Sequence, residues 1–71
     1  MSRWKDELIL RTIWAGSAGG MTGWEIADAG EGLRRGTIYM HLGSLATRGL
    51  VKYAERPGYY RITVEGIREL Q

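Results

Sequence analysis

The sequence has no cysteine and no phenylalanine, and only one proline and one histidine. Without cysteine there is neither a disulfide framework nor a thiolate metal site. A lone histidine leaves no zinc constellation. No apolar run nears the roughly 18 residues of a membrane span, so no membrane partner is expected. Lys5, Asp6 and Glu7 interrupt the N-terminal stretch before an apolar run can form. That pattern predicts no signal peptide and a cytoplasmic location. Nucleophile–base pairs and phosphate-binding glycine loops are missing too, so an enzyme is not expected and no cofactor is implied.

What is present is a chain of 71 residues with 44% apolar and 25% charged side chains, expected to form a single domain over 1–71. A domain of this size buries only about 60% of its unfolded surface. It must therefore pack densely or self-associate. Three tryptophans and four tyrosines supply the bulk that phenylalanine would give. Net charge is only +2, but it is unevenly placed. Residues 1–33 hold three basic side chains against five acids, net −2, while residues 34–61 hold six against one, net +5. Residues 62–71 hold one against two, net −1. Such asymmetry fits a polyanion-binding surface. It also fits a merely solvated basic face.

The basic segment contains the stretch around which the rest is organised. Over 36–48, Ile38, Leu42 and Leu45 recur at the i, i+4, i+7 spacing of a helix pressed on a core. Thr37, Met40, Gly43, Ser44 and Thr47 fall on the opposite face, which carries no acid. Arg34 and Arg35 stand at its entrance and Arg48 near its exit. Gly49 is placed to end the helix in a left-handed cap, with Leu50 as the apolar residue that follows.

Ahead of it, the pattern predicts a first helix over 2–15, capped by Ser2. One apolar arc holds Ile9, Leu10, Ile13 and Trp14. A second side holds Trp4 and Leu8. One helix of a small domain seldom needs two apolar sides for its own core. The Trp4/Leu8 side therefore either meets a partner chain or is a partly exposed surface. Residues 16–20 are a loop by composition. Thr22 and Glu25 form a capping box for a short helix over 23–29, with Trp24, Ile26 and Ala27 inward. Gly30, Glu31 and Gly32 break it, and Leu33 plugs the turn. Helix, turn, helix reads as a helix-turn-helix.

After Gly49 the apolar period changes to two, predicting a hairpin with strands over 51–55 and 59–63 around a turn at Arg56, Pro57 and Gly58. Val51, Tyr53, Tyr60 and Ile62 are its inward side, and Met21 is a candidate third strand. Thr63 caps a last short helix, with Ile67 and Leu70 inward. The predicted class is α+β, mainly α: a three-helix core, a short β-hairpin wing and a short C-terminal helix.

Several words of this sequence resemble the PadR family of bacterial winged helix-turn-helix transcriptional regulators. They are Gly23-Trp-Glu-Ile26, Gly36-Thr-Ile-Tyr39, Leu42, Leu45, Gly49-Leu-Val51, and Tyr60-Arg-Ile-Thr63 with Gly66 and Leu70. The similarity spans about residues 8–70. It implies a bacterial or phage-encoded protein that binds double-stranded operator DNA as a homodimer, usually to repress transcription. Some members also sense small molecules, so an effector is possible without a pocket to assign. Family members continue into a longer C-terminal dimerisation region that is almost absent here, and the wing is cut to a tight turn.

In that context Arg34 and Arg35 would anchor phosphate at the helix N-terminus. Thr37 and Ser44 would donate to phosphate or base edges, and Met40 would touch a thymine methyl. Gly43 would let the backbone come close. Tyr39 either packs alone or also aims its hydroxyl at a phosphate, while His41 reads as a packed or half-exposed histidine. Lys52, Arg56 and Arg61 are wing cations, with Arg56 at the tip. Trp4 and Leu8 would form the dimer interface. The competing reading is a winged-helix protein-interaction module without DNA binding.

Overall fold

The computed structural model describes residues 3–16, 18–29 and 32–71. The chain runs α1 (Arg3–Ala15), β1 (Met21–Thr22), α2 (Gly23–Ala29), α3 (Arg35–Thr47), β2 (Val51–Tyr53), β3 (Tyr59–Ile62) and α4 (Val64–Glu69). The fold is α+β: four helices on a three-stranded antiparallel sheet of order β1-β3-β2. This arrangement is compatible with a winged helix. The expected Ser2 cap, and Gly30 and Glu31 of the expected breaker, lie outside the described residues.

Local chemistry sets most element ends. The Thr22 hydroxyl accepts from Glu25 N–H (3.1 Å) and the Glu25 carboxylate accepts from Thr22 N–H (2.9 Å). That is the predicted capping box, and it starts α2 directly after β1. α3 ends as predicted. Gly49 has φ +78°, Leu50 N–H donates to Leu45 C=O (2.9 Å), and Gly49 N–H donates to Ala46 C=O (3.0 Å). These two bonds form a Schellman motif. The hairpin turns through Arg56-Pro57-Gly58-Tyr59, closed by Tyr59 N–H to Arg56 C=O at 3.2 Å. Pro57 at its second position and Gly58 at φ +83° make it type II.

One continuous core joins the elements. Ile9, Leu10 and Ile13 of α1 meet Ile26, Leu33, Ile38, Leu42 and Leu45, with Met21, Leu50 and Val51 closing the sheet side. Met21 is a strand residue, paired with Tyr60. Leu33 plugs the turn as expected.

Four expectations need correction. Trp14 and Trp24 are 47% and 57% exposed rather than inward. Tyr53 is 70% exposed rather than inward. Leu8 is half-buried against its own core, so it does not share an outward patch with Trp4.

A single joint ties α3 to the sheet and to α4. The Thr63 hydroxyl donates to Gly49 C=O (2.7 Å) and accepts from Gly66 N–H (3.0 Å). Thr63 N–H donates to Leu50 C=O (3.1 Å). Gly66 packs its bare Cα on that same carbonyl, and a Cβ there would overlap the Leu50 oxygen. Gly66→Ala is therefore expected to cost about 1–3 kcal/mol, read as a lower urea midpoint. An unchanged midpoint would show that the joint yields freely.

Candidate nucleic-acid interface

α3 presents its two faces as the periodicity required. Ile38, Leu42 and Leu45 are wholly buried, while Met40 is 73% exposed. Gly43, Ser44 and Thr47 are exposed and Thr37 is half-buried. Thr47 is partly committed, since its hydroxyl donates to Gly43 C=O (3.0 Å) and only its lone pairs remain outward. A Cβ built on Gly43 meets nothing within 4 Å. The fold therefore has no steric reason for glycine there, and α3 loses about 1 kcal/mol of propensity relative to alanine.

The entrance of α3 is cationic and open. Arg34 holds the N-cap position in extended conformation, with no side-chain cap on the helix. Free N–H groups and two guanidiniums thus share one end. Among the described residues, neither Arg34 nor Arg35 has an ion pair. Arg35 instead stacks on Trp24, its guanidinium carbon 3.3 Å from the ring centroid. Stacking holds the planar fork still while leaving its N–H edges free for an anion or a guanine. This explains an exposed tryptophan that periodicity had assigned to the core. Asp28 borders the same shallow depression without pairing either arginine.

The exit of α3 is different. Asp6 reaches across from α1, accepting from His41 Nδ1 (2.6 Å) and from Arg48 Nη1 (3.0 Å). His41 is half-buried, as expected. Arg48, however, is exposed but paired with Asp6, so the ridge has a free arginine end and a partly neutralised one. Sequence spacing carried no sign of this bond, which joins residues 42 apart.

Between the first half of α3 and the hairpin lie three tyrosines. Tyr39 lies over Gly23, where a Cβ would overlap its ring. Tyr53 and Tyr60 pair across the strands with ring centroids 5.3 Å apart. Burial, then the neighbouring Tyr53 and Tyr39, push the Tyr60 phenol above its ordinary value. Among the described residues none of the three hydroxyls has a hydrogen-bond partner. Tyr53 and Tyr60 are expected from the sequence only as packing, and their unpaired hydroxyls are what the alternation pattern does not show.

The hairpin carries the remaining cations. Arg56 sits at the tip, over the Tyr59 ring at 4.4 Å. Lys52 and Arg61 face each other across β2 and β3, on the side opposite Val51, and so point away from the helices. The structure does not bring them beside the outer face of α3. Like charges directly opposed are locally destabilising.

Two measurements check this geometry. Gly43→Ala is expected to raise stability by about 1 kcal/mol; a loss would mean the position is sterically committed. The raised Tyr60 value adds stability that is complete below pH 10.0, the ordinary tyrosine value. It is lost as pH rises through the higher folded value, because the unfolded chain releases that proton first. Tyr60→Phe should therefore show a shallower fall of melting temperature above pH 10.0 than the parent, and parallel curves would contradict the burial. Comparisons of the chain with protein-family models, curated proteins and solved structures each find no match.

Proposed function

We propose that this protein is a sequence-specific double-stranded DNA-binding transcriptional regulator of winged helix-turn-helix type, similar to the PadR family and acting as a repressor by occupying its operator. α3 enters the major groove, whose width admits one helix. The observation that carries this reading is the outer face of α3: exposed, free of acids, and bearing a glycine that the fold does not use. A helix that must come close to another backbone has a reason to give up a Cβ there.

The surrounding groups fit the same contact. Arg34 and Arg35 reach phosphate beside the open helix end. Met40 and Ser44 meet base edges. The hydroxyls of Tyr39, Tyr53 and Tyr60 donate to the backbone on the hairpin side, and Arg56 follows it toward the minor groove. Thr37 and Thr47 contribute less, being half-buried and internally bonded. Lys52 and Arg61 add long-range attraction from the far sheet face rather than groove contacts. Such a regulator works as a homodimer on a near-palindromic site, with half-sites about 34–36 Å apart.

Selection of bound sites from random duplex DNA tests the reading. A recovered motif supports it; no enrichment sinks it. With roughly three to five cation–phosphate contacts per protomer, and so about six to ten per dimer, affinity should fall roughly 10³- to 10⁵-fold between about 50 and 200 mM salt. The Arg34→Ala/Arg35→Ala double variant should bind all duplexes at least about tenfold more weakly. Gly43→Ala should bind more weakly although it is more stable. A double arginine variant that binds like the parent would remove the proposed anchors.

A further inference from the structure

Two exposed tryptophans lie on α1, away from α3. Trp4 is 60% and Trp14 47% exposed. Between them Glu7 and Arg11 form an i,i+4 ion pair of 3.4 Å, both side chains more than half exposed. At about 100° per residue, Trp4, Glu7, Arg11, Trp14 and Ala15 share about a third of the helix circumference. Ile9 and Ile13 occupy the opposite side, in the core.

The order of these residues has a symmetry about Ile9. Trp4 and Trp14 stand five positions to either side of it, and Glu7 and Arg11 two positions to either side. We propose that this face is an isologous dimer interface whose occupant is α1 of a second copy, running antiparallel about a two-fold axis level with Ile9. Trp4 then lies level with the partner's Trp14, and Glu7 with the partner's Arg11. Each contact occurs twice, as a two-fold interface requires. The shallow depression lined by Arg11, Trp14 and Ala15 receives the indole of the partner's Trp4. A parallel pairing sets Glu7 against the partner's Glu7 and Arg11 against the partner's Arg11, so charge disfavours it. Antiparallel helix dipoles favour the chosen orientation as well.

One helix face per chain buries less than the roughly 1,200 Å² of a standard interface, so the dimer is weak and concentration-dependent. The proposal gives the homodimer of the regulator a specific face, and its test needs no DNA. Sedimentation velocity on the parent, from about 1 μM to 1 mM, should show a reversible monomer–dimer equilibrium. Glu7→Arg alone turns both symmetric charge contacts repulsive, as does Arg11→Glu alone. Each should weaken the dimer at least about tenfold. An equimolar mixture of the two variants makes both contacts attractive again and should restore a heterodimer near parental strength. Far-UV circular dichroism melts establish that each variant is folded.

A parent that stays monomeric at about 1 mM overturns the proposal. So do single variants that dimerise like the parent, or a mixture that stays monomeric. A monomeric parent that still selects a DNA motif would overturn the dimer face while leaving the DNA reading intact. A dimer that selects none would do the reverse.

Discussion

Ile38, Leu42 and Leu45 are withdrawn completely from water, and that fixes the rotation of α3 about its own axis. Burying each such side chain is worth about 1.5–3 kcal/mol. Leaving Gly43 unfavourably in a helix costs only about 1 kcal/mol. The core therefore decides which way the helix faces, and Met40, Gly43 and Ser44 are turned outward as a consequence. Everything the surface can do begins from that choice.

Two glycines then set where α3 sits. Gly23 lets Tyr39 lie flat on the start of α2, and Gly66 lets α4 close on the Leu50 carbonyl. The first contact holds the front half of α3 against α2. The second, with the Thr63 hydroxyl bridging Gly49 and Gly66, holds its end against the sheet. Short sequence words that lie far apart in the chain are thus contacting pairs: Gly23 with Tyr39, and Leu50 with Gly66. Between these anchors the hairpin is carried alongside α3, which is what brings Tyr53 and Tyr60 toward Tyr39. Asp6 adds a polar clasp by engaging His41 and Arg48 together. The positive potential of α3 is thereby left at its N-terminal end, where Arg34 and Arg35 stand.

Features governed by nearest neighbours were legible in the sequence. The capping box at Thr22, the left-handed stop at Gly49, the type II turn at Pro57 and the apolar spacing of α3 each depend on a few adjacent residues. Met40, Gly43, Ser44 and Thr47 of the outward set on α3 followed from the same periodicity, whereas Thr37 is half-buried. What was not legible depends on which other element lies opposite. Trp14, Trp24 and Tyr53 obey the apolar pattern, yet each stays exposed. Leu8 looked outward and is half-covered. Arg48 looked free and is taken up by an aspartate on another helix. Lys52 and Arg61 looked like wing contacts beside α3, but they lie on the sheet face turned away from the helices. Hydrophobicity marks what a side chain tolerates; only the packing decides whether it is met.

In the proposed complex, DNA meets the outer face of α3 together with the tyrosine side of the hairpin. An amide chemical-shift titration of the isotope-labelled protein with a short mixed-sequence duplex tests it directly. The largest shifts are expected at Arg34, Arg35, Met40, Gly43, Ser44 and Tyr53. Residues Glu7, Arg11 and Trp14 on the outer face of α1 should stay still. Shifts confined to α1, or none at saturating duplex, would contradict it.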